Sequence, residues 1–206
     1  EKLINKKELA ERFGLAYDEK VPIIGLISRL YDSKGLDLVQ KAFGDLMKLD
    51  IQIILLGTGD QKYHVFFDKM SSKYPKKFAS YLGFNDELAH LIEAGSDMFL
   101  MPSKYEPCGL NQMYSLVYGT VPIVRETGGL ADTVTKFNDK TEEGNGFVYK
   151  KYDTEDMLKE IKRAVKIFED KKIWQKIMRS GMKSDFSWDS SAKKYIELYK
   201  TMLSSD

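Results

Sequence analysis

The sequence predicts an α/β fold in which a parallel sheet is covered by helices on both faces, and three observations support this. Short segments such as VPIIGLISRL (residues 21–30) and IQIILLGTGD (51–60) are apolar with little alternation, the pattern of strands buried on both sides. Segments with apolar residues at helical spacing separate them. Glycine-rich turns follow several of the strand segments. Such alternation builds a parallel sheet with right-handed crossovers, and a ligand crevice then lies at the carboxyl ends of the strands.

In chain order, residues 5–13 read as a short helix, with Asn5 as its cap and Gly14 as its stop. The first strand segment, 21–30, is followed by KGLDLVQKAFGDLMKL, apolar at helical spacing. The second, 51–60, ends in a glycine turn before a helix over 61–73. KFASYLGF is a strand, NDELAHLIEAG a helix capped by Asn85, and SDMFLMPS a strand. A helix follows over 110–118, then the strand VPIVRE, then a glycine turn at Gly128 and Gly129 before another helix. GFVY is a last short strand, after a surface loop over 138–146. From Thr154 onward the pattern is helical to the end.

The chain of 206 residues suits one domain with a substantial core, a body over 1–183 and a C-terminal helix over 184–206. Its 43% hydrophobic and 31% charged residues are those of an ordinary globular protein. With 32 basic against 31 acidic residues it lacks the bulk charge of a nucleic-acid binder. No stretch reaches the roughly 20 apolar residues of a membrane span, and no signal peptide is visible. One cysteine, Cys108, can form neither an internal disulfide nor a metal framework, which fits a reducing, cytoplasmic setting. The opening lies within an amphipathic helix and has no initiating Met, so it reads as a piece of a longer protein.

The strand ends carry the chemistry. After the first come Arg29 and, beside Gly35, Lys34, which by spacing alone read as two surface cations near a loop, with a seat for a diphosphate as the alternative. GTGD, from Gly57, lacks the third glycine of a dinucleotide fingerprint because Lys62 stands in its place; it reads as a tight turn. Phe84, in LGFND, could stack on a base or sit in the core. At the fourth end, Pro107 restrains Glu106 to an extended backbone. Gly109 permits unusual dihedrals, and the amides of Cys108, Gly109, Leu110 and Asn111 open a helix, a group suited to an anion or sugar hydroxyls. Alternatively Glu106 is a helix-start acid and Cys108 is simply buried. His64 and His90 lie far apart in helical segments and read as surface or packing residues. D-x-D, P-loop and nucleophile-elbow motifs are absent.

SRLYDSKGLDLV, LLGTGD, LGFND, PSKYEPCGLNQMYSLVYGTVPIVRETGGLADTV and DFSWDSSAKKYIELY, in this order, resemble the C-terminal lobe of bacterial glycogen synthases and plant starch synthases. The resemblance implies one lobe of a two-lobed Rossmann-like fold and a retaining glucosyl transfer from ADP-glucose to the 4-OH end of an α-1,4-glucan, with no metal or other cofactor. It implies that Arg29 and Lys34 bind the diphosphate and offset charge on the leaving nucleotide. Phe84, where the family often has Tyr, would stack on adenine, and Gly57 would line the cleft. Glu106 would lie near the transferred glucose, in an electrostatic and positioning role rather than as a nucleophile. The amides from Cys108 to Asn111 would hold sugar hydroxyls and a phosphate.

The N-terminal acceptor lobe of that family, with its K-x-G-G-L loop, has no counterpart here, since TGGL at residues 127–130 lacks the lysine. The expectation is a chain that binds ADP or ADP-glucose weakly and transfers no glucose alone. Other readings are a UDP-sugar-dependent transferase or nucleotide-sugar epimerase lobe, or a non-catalytic nucleotide-binding module.

Overall fold

A computed structural model describes residues 1–204. Its centre is a six-stranded sheet, all parallel: β1 (Ile23–Ile27), β2 (Gln52–Leu56), β3 (Phe78–Tyr81), β4 (Met98–Met101), β5 (Val121–Arg125) and β6 (Phe147–Tyr149). The spatial order is β3-β2-β1-β4-β5-β6. Winding therefore reverses between β1 and β4, and the crevice expected of a Rossmann-like sheet opens at their carboxyl ends.

The solid apolar strands exist because both faces are covered. Along β2, Ile53 and Leu55 enter one core and Ile54 and Leu56 the other, the two-residue period of a strand. The larger core is closed by α2 (Leu36–Leu46), α3 (Gln61–Lys73), α7 (Thr154–Phe168) and α8 (Lys171–Met182). Phe43 anchors it, meeting Phe78 and Phe66 edge-on at centroid distances of 5.0 and 5.5 Å. The opposite core is closed by α1 (Lys2–Arg12), α4 (Asp86–Gly95) and α6 (Gly128–Thr133). At the amino end of the sheet, far from the crevice, buried Lys6 pairs with Asp97 at 2.9 Å and donates to the carbonyls of Glu19 and Val21.

Two sequence expectations are corrected. Asn5 caps nothing: α1 begins at Lys2, and Asn5 lies inside it. The helix is set by the packing of Lys6, Leu9 and Ala10, which overrides a cap-type residue. Gly128 and Gly129 form the first turn of α6 itself rather than a turn ahead of it. The cap at Asn85 is as expected, its side chain accepting the Leu88 amide at 2.9 Å. The C-terminal helix, α9 (Trp188–Leu203), has no buried residue, and Trp188 is 90% exposed. The last two positions of the 184–206 expectation lie outside the described residues.

Candidate active site

The exit of β1 positions the two cations. Leu30 donates its amide to the Thr58 carbonyl at 2.8 Å, so the chain leaves the strand beside the turn that follows β2. Arg29 is exposed there, its guanidinium 5.9 Å from the Tyr31 ring centroid, and no carboxylate pairs with it among the described residues. A 3-10 turn, Asp32–Lys34, ends at Gly35 with φ +73. A Cβ on Gly35 would stand 1.9 Å from the Pro102 carbonyl oxygen, so only glycine lets this turn press on the end of β4. Lys104 completes the contact by donating its amide to the Ser33 carbonyl at 2.9 Å. On the outer side, the Asp32 carboxylate accepts from Lys62 and Tyr63, and these bonds hold it below the ordinary aspartate range.

This contact brings Lys34 and Glu106 together. Lys34 Nζ lies 2.6 Å from Glu106 Oε2, with the two side chains 20% and 9% exposed. Ser103 Oγ donates to the same carboxylate oxygen at 3.2 Å. The Glu106 carbonyl accepts the Gly129 amide at 3.1 Å. Glu106 is therefore not a free helix-start acid but a buried carboxylate neutralised by a lysine from another strand end.

The rest of that loop presents amides. Gly109 has φ +74, and its carbonyl and that of Cys108 both accept from the buried Gln112 side chain, at 3.0 and 3.1 Å. α5 (Asn111–Val117) follows. The amides of Cys108, Gly109, Leu110 and Asn111 have no protein acceptor among the described residues. The Asn111 side chain is committed elsewhere, to the Ile27 carbonyl at 3.3 Å. Cys108 is exposed, which overturns the alternative of a buried thiol.

At the far wall, Gly57 is buried, and a Cβ there would stand 2.0 Å from the Ser28 carbonyl oxygen. GTGD is thus more than the tight turn expected: it is a close approach of two strand exits. His64 Nε2 accepts the Gly59 amide at 3.1 Å, a role in holding that turn beyond simple surface packing. Phe84 is 86% exposed at the rim, and so is not a core residue.

Of the sequence-predicted residues, Arg29, Lys34, Gly57, Phe84, Glu106, Gly109, Leu110 and Asn111 line one cavity of about 440 Å³ at the switch point; Cys108 lies outside its lining. The wall combines two cations, one neutralised carboxylate, unspent amides and an exposed ring. That set can hold an anionic, hydroxylated ligand with an aromatic end. Sequence reasoning missed Ser103 and Gln112, whose partners become visible only when the loops are folded. Among the described residues no group of three or more His, Cys, Asp or Glu side chains is placed to hold a metal ion.

The family described as "Glycosyl transferases group 1" matches residues 7–180. Glycogen synthase of Bacillus cereus (strain B4264) is 50% identical over 203 residues, 98% of this chain and 43% of that protein. Glycogen synthase of Pseudothermotoga lettingae is 51% identical over 203 residues, 98% of this chain and 42% of that one. The chain therefore spans less than half the length of these curated relatives. Among solved structures, the catalytic domain of starch synthase IV from Arabidopsis thaliana, bound to ADP and acarbose, has a TM-score of 0.87 at 34% identity, covering 98% of this chain and 43% of that one. Sucrose-phosphate synthase from Thermosynechococcus elongatus, at 19% identity and TM-score 0.69 over all of this chain and 52% of its own, shares the fold. With the family match extending over most of its length and half of its residues identical to glycogen synthases, the chain belongs to the group 1 glycosyl transferases.

Proposed function

We propose that this chain is the nucleotide-sugar donor lobe of an ADP-glucose-dependent glucan synthase of the glycogen or starch synthase kind. One observation carries the reading: Arg29, Lys34, Glu106 and Phe84 converge on a single cavity at the switch point, in a chain half identical to glycogen synthases. The starch synthase relative, solved with ADP bound, favours an adenine nucleotide.

The proposed reaction breaks the bond between the glucosyl anomeric carbon and the diphosphate oxygen. The same carbon then bonds the 4-hydroxyl oxygen of an α-1,4-glucan end on the same face, and the hydroxyl proton passes to the leaving diphosphate. Charge builds up on the sugar ring and on the departing oxygen. Arg29 is free to meet the diphosphate, and the Lys34 ammonium keeps two of its three donors after bonding Glu106. Fixed donors of this kind are typically worth about 10²–10³ in rate each. A carboxylate already paired with a lysine is a poorer nucleophile, which supports a positioning and electrostatic role for Glu106.

Phe84 would stack on the base, Gly57 would let the nucleotide lie close to the backbone, and the amides from Cys108 to Asn111 would meet sugar hydroxyls and a phosphate. The proposal assigns no metal or cofactor to the reaction. It assigns acceptor contacts to parts of the relatives that have no counterpart in these residues. A cytoplasmic setting belongs to the same proposal; among the described residues no helix is long and apolar enough to cross a membrane.

Calorimetric titration of the chain with ADP, ADP-glucose and UDP tests this. ADP should bind in preference to UDP, and Phe84→Ala should weaken ADP by about 1–3 kcal/mol, the worth of one base stacked on an aromatic ring. No saturable binding, or a preference for UDP, overturns the reading.

A further inference from the structure

We propose that Arg125 is a positioning residue for Glu106, a role that for its effect on sugar binding rests on the function proposed above. Arg125 closes β5 and does not line the cavity. Its Nε donates to the Ser103 carbonyl at 2.9 Å, and a terminal nitrogen donates to the Lys104 carbonyl. No acid pairs with it among the described residues; its guanidinium instead lies 5.7 Å from the Tyr152 ring centroid, and the Tyr152 hydroxyl is tied to the Asp37 carboxylate. A half-buried arginine thus spends its fork on two consecutive carbonyls of one loop, a geometry that the rigid planar guanidinium holds with less loss of freedom than a flexible ammonium.

Those carbonyls belong to the residues that precede Glu106. Ser103 also supplies the hydroxyl 3.2 Å from Glu106 Oε2. The Lys104 amide, on the other side of the same residue, donates to Ser33 in the turn that carries Lys34. The segment 103–104 is therefore gripped from both sides, by Arg125 at its carbonyls and by the Lys34 turn at its amide. The separation of Lys34 and Glu106 depends on this grip, because the two side chains reach each other from elements joined there. Loss of the fork frees the two peptide planes and lets the carboxylate drift from the glucosyl end of the cavity. The diphosphate end, held by Arg29 and the opposite wall, is left in place.

The test uses the whole chain with Arg125→Met and Arg125→Lys. In Arg125→Met the Lys104 amide should exchange with solvent about tenfold or more faster, read residue by residue by NMR, with amides of the β2 core unchanged. ADP affinity should stay within about twofold of wild type, whereas ADP-glucose should weaken about fivefold or more. Arg125→Lys should recover part of both effects. Unchanged Lys104 exchange in Arg125→Met overturns the proposal. So does an equal loss of ADP and ADP-glucose affinity together with a lowered melting temperature, the behaviour of a residue that merely supports the fold. A wild-type chain that binds neither ligand overturns the functional reading, and the sugar-binding half of this proposal with it. The exchange of Lys104 then still decides whether Arg125 places the loop.

Discussion

Replacing Lys34 by Met removes the ammonium 2.6 Å from Glu106 Oε2 and keeps most of the side-chain volume. Stripping one partner from a fully buried ion pair costs about 3–5 kcal/mol, because the other charge is left uncompensated. An exposed pair costs about 1 kcal/mol at most. This pair lies between the limits: the side chains are 20% and 9% exposed, the cavity admits water, and the Ser103 hydroxyl stays at 3.2 Å. Lys34→Met should therefore lower unfolding free energy by about 2 kcal/mol. Glu106→Gln in the same background removes the stranded charge and should restore about 1 kcal/mol. Urea unfolding of the four proteins in the cycle measures this, provided the m value is common to all. A Lys34→Met cost below about 0.5 kcal/mol, or additivity within about 0.5 kcal/mol, would refute the view that Lys34 neutralises a largely buried Glu106.

Arg29 pairs with no acid among the described residues, so Arg29→Ala should leave stability within about 0.5 kcal/mol while weakening ADP by about 1.5–3 kcal/mol; equal ADP affinity by calorimetry would remove Arg29 from the proposed donor site. Gly129→Ala should destabilise by at least about 2 kcal/mol in urea, since its Cβ would stand 2.0 Å from the Cys108 carbonyl oxygen. Gly44→Ala, in the open on α2, should instead gain about 0.5–1 kcal/mol. Burial first, and the Asp86 carboxylate second, push the Glu93 carboxyl up to about 7. The folded state then holds a proton that the unfolded chain releases near the ordinary glutamate value of about 4.3. The associated stability is present at the acid end and lost as pH rises through about 7, so Glu93→Gln should flatten the fall in unfolding free energy between pH 5 and pH 8. Identical slopes for the two proteins would remove Glu93 as its source.

The strands were legible because a doubly covered strand cannot hide its composition: each solid apolar segment became one of the six, in order. Helix starts were legible only where the cap decides them. Asn85 holds the Leu88 amide at its helix start, whereas Asn5 is overruled by the burial of Lys6, Leu9 and Ala10. The site was half legible. Residue types at strand ends pointed to the crevice, since topology alone delivers strand ends to one edge. Which of them touch was hidden, because the contact between Lys34 and Glu106 crosses 72 positions and is made by loops. The thiol of Cys108, conspicuous in the sequence, is exposed and, among the described residues, bonds its neighbour's carbonyl at 3.5 Å.

What makes these loops definite is backbone contact. Gly35 meets the Pro102 carbonyl, Gly128 that of Glu106 and Gly129 that of Cys108, each at a separation that would put a Cβ within 2.1 Å of oxygen. Three exits from the sheet are thereby packed without intervening side chains, whose rotamers would otherwise blur the distances between them. The glycines of SKGLD and ETGGL are accordingly poor evidence for phosphate-binding turns and good evidence for loop-on-loop contact. A sequence reader can use that distinction. A glycine that follows a strand reports flexibility only if nothing stands where its Cβ would be, and in this chain Gly128 and Gly129, packed on the Glu106–Cys108 backbone, are confined rather than flexible.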